Sequence, residues 1–313
     1  MGNGYSTGFI RENMSTDQEL EHTDCYLCGN DKPKTLYVIK GFRNNQRSFN
    51  VVQCDVCSLV YINPRYSLHE NFALYNESYY ADTAVDPSGR TRSFLTDREN
   101  KINDHKMEVS YIKKYKKEGR ILDFGSASGF FLDALDGVWE KYAVDISAFA
   151  LSHIKDPAVR KFNGTLIDAH YDDNFFDVIY AGHTLDRLID LKKNIAEMKR
   201  ILKKDGIILI TTPNIGSLCA MLFKENFRLL YSNHLVYFSK ETLQKFLDEV
   251  GLRILDVKYP FYGTSFFLWK GLPADMAKIV IRSLSNIMNI EFKMPSPPFW
   301  GNVMSVIIKV EHA

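Results

Sequence analysis

The chain has 313 residues, 45% of them hydrophobic and 25% charged, which suits a globular protein with one large domain and a small one. Its 39 Lys and Arg balance 38 Asp and Glu for a formal net charge of +1 at pH 7, so no strong field draws in nucleic acid or anionic lipid. No apolar run is long enough to span a bilayer, and the opening MGNGYSTGFIRENMSTDQELEHTD lacks the apolar core of a secretory leader. Residues 1–21 therefore read as a polar, disordered tail on a cytoplasmic protein.

Four of the five cysteines fall in two pairs, Cys25-Tyr-Leu-Cys28 and Cys54-Asp-Val-Cys57. Two C-x-x-C pairs about 25 residues apart fit a four-thiolate zinc site. Gly29 suits a backbone that folds back on the metal. A redox pair or disulfides are the other readings, and the missing leader argues against disulfides. Four cysteine ligands leave no open coordination position, so the zinc is expected to be structural. Residues 22–66 are thus expected to form a metal-stapled module with strands LYVIKG, SFNVVQC and SLVYINP.

Residues 67–118 read as a cap of helices and loops, in which LYNESYYADTAVDPSGRTRS carries Tyr79 and Tyr80. These tyrosines are candidates for stacking on or bonding to a substrate, with plain packing as the alternative. A helix is expected from Asp97 to Lys117, its Lys-rich end stopping at Gly119.

From Arg120 the rhythm changes. RILDFGS reads as a strand, GFFLDALDG as a helix closed by Gly137, KYAVDIS as a strand, FALSHIKD as a helix and FFDVIYAGH as a buried strand. Asp190 is placed to cap a helix with Leu191, Ile195, Met198 and Leu202 on one face, running into KKDG. GIILITTPN is a strand, and Ser239 caps a helix closed by Gly251. LRILDVKYP and NVMSVIIKVE are the last strands. Alternating strands and helices predict a doubly wound α/β sheet over 119–313, with insertions over the sheet edge at about 216–233 and 262–300.

In such a sheet, ligands bind beyond the carboxyl ends of the strands, where ILDFGSASGFF, residues 121–131, makes its loop. Gly125 and Gly129 are four residues apart, outside the G-x-G-x-x-G phosphate pattern, and no P-loop lysine follows. Asp145, 22 residues past Asp123, is placed to take both hydroxyls of a ribose. Asp168 follows GTLI, where a third strand would end, and is placed to meet an exocyclic amine of adenine. Each acid alone also reads as a loop acid or cap. Three acids after three successive strand ends suit an adenosine with a cationic tail and no phosphates.

ILDFGSASG resembles the first motif of the class I S-adenosylmethionine-dependent methyltransferases, and KYAVDIS resembles their second. FDVIYAGHTLDRLID and EMKRILKKDGIILITTPN resemble the fourth strand through the fifth, and HLVYFSKETLQKFLDEVGLRILDV the unit that follows. The likeness covers about residues 105–313. It implies a Rossmann-like, seven-stranded sheet with the last strand antiparallel. It also implies a cofactor site in which Gly125, Ser126 and Gly129 face the methionine part. Asp145 would hold the ribose, Asp168 the adenine edge, and His183 would border the sulfonium, with Asp123, Ile146 and Ala169 in the same site. Ala127 stands where the family's first motif has its middle glycine, and Asp186-Arg187 where many relatives have Glu-His.

The chain is also similar to a narrower group, the zinc-module methyltransferases that act at carbon on nucleotide-linked keto-sugars. The shared features are the four-cysteine module, the tyrosine-bearing segment and a Tyr-x-Glu-His stretch after the fifth strand, here Tyr231-Ser232-Asn233-His234. Asn233 replaces the Glu, and most of that group's extra C-terminal domain is missing. His234 has the pKa range of a general base, with a structural histidine as the alternative; Tyr231 stands beside it in sequence. The expected acceptor is a small molecule, a nucleotide-linked sugar or a precursor of a surface glycan or secondary metabolite. A second reading is an RNA base methyltransferase gripping RNA with Lys32, Lys34, Lys40, Arg43, Arg47 and Arg65. A third is a non-catalytic scaffold that keeps the fold.

Overall fold

The computed structural model describes residues 19–41, 47–81, 83–85, 91–93, 98–262, 264, 267, 269–290 and 293–311. The expected tail over 1–18, and Arg43, lie outside them. The first strands are β1 (Leu20–Glu21), β2 (Lys34–Lys40), β3 (Ser48–Gln53), β4 (Val60–Ile62) and β5 (Arg65–Tyr66). β2, β3 and β4 form the antiparallel meander expected between and after the cysteine pairs. β1 pairs with β5, and Glu21 forms a 2.8 Å ion pair with Arg65. Backbone pairing therefore reaches into the stretch expected to be tail.

The middle segment holds α1 (Leu68–Ala73), α2 (Glu77–Ala81), the hairpin β6 (Thr83–Val85) with β7 (Thr91–Ser93), and α3 (Arg98–Ile112). α3 stops at Ile112, short of the expected Lys117. The Lys-rich run beyond it has little to bury, and its lysines are drawn into ion pairs: Lys113 with Asp136 and Lys116 with Asp205.

The rest of the chain alternates as expected. It runs β8 (Gly119–Phe124), α4 (Phe130–Ala134), β9 (Trp139–Asp145), α5 (Ala148–Ser152), β10 (Arg160–Asn163), β11 (Phe176–Gly182), α6 (Leu191–Ile201) and β12 (Leu202–Pro213). Then follow α7 (Leu218–Phe223), β13 (Val236–Tyr237), α8 (Lys240–Asp248), β14 (Leu252–Lys258), α9 (Leu272–Ile287) and β15 (Val303–Val310). Seven strands make one sheet in the order β10-β9-β8-β11-β12-β15-β14. Only β15 runs antiparallel to its neighbours in it. This is the seven-stranded, doubly wound arrangement expected.

Three local expectations are corrected. The third strand is Arg160–Asn163, before Gly164, and GTLI lies in the turn beyond it. The sixth helix ends at Ile201 and does not run into KKDG: Leu202 turns into the core and starts β12. Asp190 sits at the N-cap position but gives no side-chain cap bond; its carboxylate pairs at 3.4 Å with Lys193. Ser239, by contrast, caps α8 as expected, in a reciprocal box with Thr242.

The stretch 216–233 does not cover a free sheet edge. Phe223 and Phe227 are buried in one cluster with Phe49, Val51, Tyr66 and Tyr237, which wedges α7 against the N-terminal module. β13 then adds a fourth strand to the module's sheet by pairing with β4. α9 packs on α7 through Arg282, whose Nε donates to the Leu222 carbonyl at 2.8 Å. Cys25, Leu27, Cys57 and Leu59 share a core with Leu122, Ile210, Phe238 and Phe246 of the large sheet, so module and sheet are built on continuous packing.

Candidate active site

β8 ends in the loop 125–129, which turns back to start α4. Gly125 and Gly129 both take left-handed backbone, φ +77° and +75°. At Gly125 no side chain fits: a Cβ would lie 2.2 Å from Thr184 Oγ1. That hydroxyl donates to the Phe124 carbonyl at 2.9 Å, which ties the β11 turn to the loop. Ala127 is left-handed too, φ +45°, the conformation that the family's glycine adopts freely and that strains an alanine. The hydroxyls of Ser126 and Ser128 are buried with no hydrogen-bond partner among the described residues.

Asp145 ends β9 directly behind this loop. One carboxylate oxygen accepts from the amide of Ser147 and the other from the amide of Ala127, both at 2.8 Å. Burial pushes its pKa up, and the two amides oppose that by bonding the ionised form. Asp123 is buried within the same end of the sheet, its pKa held up by burial and by the Asp145 charge. The Gly164 amide and the Asn163 side chain both bond the Asp145 carbonyl, at 3.0 and 3.1 Å, which brings the β10 turn against the site. Asn163 also reaches the Ile146 carbonyl.

Asp168 and Ala169 lie farther along that turn. Asp168 is exposed, and its carboxylate accepts the Thr165 hydroxyl at 2.6 Å, closing its own turn. His183, at the end of β11, has φ +53°, and its amide bonds the Thr211 carbonyl at 2.7 Å. Solvent reaches His183, yet the protein around it and the Arg187 guanidinium push its imidazole down to about 3. The strand ends thus gather loop 125–129, Asp145, the β10 turn and His183 on one rim.

Over this rim lies α2. Tyr80 is buried against Ala127, Phe149 and Ala150. Tyr79 points the other way: its phenol accepts from Arg187 Nη1 at 2.9 Å, and Tyr75 is 3.5 Å from the same nitrogen. Arg187 Nη2 donates to His234 Nε2 at 3.0 Å. This bond assigns the lone pair to Nε2 and the proton to Nδ1. Nδ1 faces Asp186 Oδ2 at 3.6 Å, and Asp186 Oδ1 is 3.4 Å from the Thr212 hydroxyl. Tyr231 stands with its ring centroid 5.5 Å from that of His234. Burial and the Arg187 charge hold the His234 imidazole neutral, well below its usual range. Burial raises Asp186 to about 6, against the pull of Arg187.

The structure therefore joins Tyr79, Tyr231 and His234 in one network, and places Tyr80 on the loop side. Its centre is Asp186-Arg187, to which the sequence alone assigns no role. The position after the fourth strand was visible there, but its partners come from 108 and 47 residues away.

The four N-terminal cysteines converge as well. Their sulfurs all lie within 4.8 Å of one another, and the pairs Cys25–Cys57 and Cys28–Cys54 are 3.4 Å apart. No disulfide joins them. Tetrahedral thiolates around zinc, at about 2.3 Å each, stand roughly 3.8 Å apart, so the donor set fits. The two knuckles match: Gly29 (φ +73°) and Ser58 (φ +67°) each follow the second cysteine and bond back to the carbonyl of the first. Lys192 Nζ donates to the Leu27 carbonyl at 2.6 Å and Lys245 Nζ to the Cys57 carbonyl at 3.1 Å, so α6 and α8 each hold one knuckle. Of the basic residues considered for RNA, Arg65 is buried against Glu21.

Among the described residues, no helix is long and apolar enough to cross a membrane. No curated protein matches the chain. Among solved structures, a chain from the complex between the Haloferax volcanii Trm112 methyltransferase activator and a methyltransferase is similar at 14% identity. It covers 70% of this chain and 96% of its own, with a TM-score of 0.51. The YcgJ protein of Bacillus subtilis (17% identity, 67% and 98% covered, TM-score 0.48) and a SAM-dependent methyltransferase of Archaeoglobus fulgidus (19%, 69% and 98%, 0.48) are also similar. A family model described as a methyltransferase domain matches residues 94–257, more than half of the chain and all the strand ends described above. The chain belongs to this methyltransferase family, as a class I, S-adenosylmethionine-dependent enzyme.

Proposed function

We propose that the protein methylates a small, hydroxyl-rich molecule, a nucleotide-linked sugar or a precursor of a surface glycan or secondary metabolite, and that Cys25, Cys28, Cys54 and Cys57 hold a structural zinc ion. One observation carries the small-molecule reading: the polar groups beside the cofactor rim are buried under α2, with Tyr79, Tyr80 and His234 each at most 6% exposed. Polar groups covered in this way suit a compact acceptor. The extended basic track that RNA requires finds no support in Arg65, which is already paired.

S-adenosylmethionine, when bound, supplies a methyl group on a sulfonium. The orphaned hydroxyls of Ser126 and Ser128, and the glycine backbone at 125 and 129, suit its methionine part. Each Asp145 oxygen keeps a lone pair beyond its amide bond, enough for a ribose hydroxyl. Asp123 supports this end of the sheet, Ile146, Asp168 and Ala169 flank the adenine side, and His183 borders the reacting centre. Tyr79, Tyr80 and Tyr231 orient the acceptor and keep water out. His234 takes the acceptor's proton at Nε2.

The test is a thermal-shift series on protein saturated with S-adenosylhomocysteine. A further rise in Tm with one nucleoside diphosphate or its sugar conjugate is expected. A rise only with short RNAs would overturn the reading.

A further inference from the structure

Beside Arg187, Asn71 Oδ1 and both side-chain polar atoms of Asn233 are buried with no hydrogen-bond partner among the described residues; Asp186 Oδ2, Arg187 Nε and His234 Nδ1 also make no hydrogen bond of good geometry, though they face one another at 3.6 and 3.9 Å. They belong to two stretches after the fourth and fifth strands and to α1. Buried polar atoms are normally satisfied, so a cluster of orphans marks a place where something polar is to be received. The Arg187 guanidinium makes its hydrogen bonds to neutral partners: the phenols of Tyr75 and Tyr79 and the imidazole of His234. Its ion-pair partner, Asp186 Oδ2, stands off at 3.9 Å from Nε, outside hydrogen-bond reach. A half-buried cation whose carboxylate partner makes no hydrogen bond to it has donors to offer a second anion.

The same guanidinium blocks the proposed base, because Nη2 occupies the lone pair of His234 Nε2 at 3.0 Å. We propose that Arg187 anchors the acceptor: it receives an anionic oxygen of a small acceptor and, in turning to it, releases His234 Nε2. This rests on the reading of His234 as the base. With Nε2 free, Asp186 stands behind Nδ1 to support the imidazolium. The acceptor atom then gains the methyl group and gives its proton to Nε2, while the electron pair of the broken carbon–sulfur bond stays on sulfur. The acceptor class is a hydroxy acid, its carboxylate held by Arg187 beside the hydroxyl that is methylated and gives up its proton. The groups facing His234 are Arg187, Asp186, His183, the Leu229 carbonyl, Tyr231 and Tyr237. Of these only Asp186 and the Leu229 carbonyl favour its charged form.

The test is imidazole titration by NMR of histidine-labelled protein saturated with S-adenosylhomocysteine, with His234→Gln assigning the signal. Acetate and its neutral isostere acetamide serve as probes. Acetate, not acetamide, is expected to raise the His234 titration by about one pH unit or more. In Arg187→Gln the titration is expected to stand that much higher already and to ignore acetate, while Arg187→Lys keeps part of the acetate response. No response to acetate, an equal response to both probes, or an unchanged His234 titration in Arg187→Gln would each overturn the proposal. Failure of the wild-type protein to bind S-adenosylhomocysteine would count against the methyltransferase site itself, separately from Arg187.

Discussion

Asp145→Asn separates the role of this residue in the loop from its proposed role in cofactor binding. The carboxylate accepts two amides, from Ala127 and Ser147, each at 2.8 Å. Asparagine keeps one acceptor oxygen and turns an NH2 group toward the other amide, so one charge-assisted bond becomes a donor facing a donor. A hydrogen bond to a charged group contributes about 1.5–3 kcal/mol, and the surviving neutral bond about 1 kcal/mol. Relief from burying the charge offsets part of this, because burial already raises the Asp145 pKa. The net loss is about 2 kcal/mol, which lowers Tm by roughly 3 °C. The same carboxylate is proposed to take the ribose hydroxyls. Losing one such bond weakens S-adenosylhomocysteine binding by about tenfold to a hundredfold. Calorimetric titration with S-adenosylhomocysteine, alongside Tm without ligand, reads both effects. Affinity within twofold of wild type would refute the ribose assignment, and an unchanged Tm would refute the bridging role.

Glu108 is buried, and burial lifts its pKa from 4.5 to about 7. A carboxyl raised on folding adds stability below the unfolded value and loses it as pH rises through the folded one. Glu108→Gln should therefore stabilise the protein at pH 8, by about 3 kcal/mol at most, and leave Tm unchanged near pH 4; equal gains at both pH values would contradict the burial account. Metal analysis should find about one zinc per chain. Cys54→Ser or chelation should lower Tm and loosen α6 and α8, seen as faster amide exchange at Lys192 and Lys245, whose side chains hold the knuckles; unaltered exchange would sever that link. Gly125→Ala puts a Cβ against Thr184 at a φ of +77°. It should cost roughly 2 kcal/mol and weaken S-adenosylhomocysteine binding, and wild-type affinity would show that the loop does not need its glycine. His234→Ala should cut turnover at least tenfold with S-adenosylhomocysteine affinity unchanged; equal turnover would remove it as the base.

Short-range chemistry made much of the molecule legible before any contact was known. Cys25-x-x-Cys28 and Cys54-x-x-Cys57 announced a thiolate cluster because metal ligation demands that spacing. Strands of apolar residues punctuated by Gly125, Gly129 and Asp145 announced the sheet and its rim, since local periodicity and turn chemistry act over a few residues. The boundaries that failed, at Ile112, Asn163 and Ile201, are places where burial decides between two locally acceptable continuations. Leu202 suits a helix as well as a strand until the core claims it. Tertiary structure alone decided that β13 completes the module's sheet, that lysines of α6 and α8 hold the two knuckles, and that Arg187 bridges Tyr79 and His234. Those links join residues tens to hundreds of positions apart, and no local pattern encodes which distant partner a side chain meets. The sequence by itself determined the family and the glycine loop and acid at the strand ends, whereas the network of Tyr79, Arg187 and His234 exists only once α2, the turn after β11 and the stretch before β13 are folded against one another.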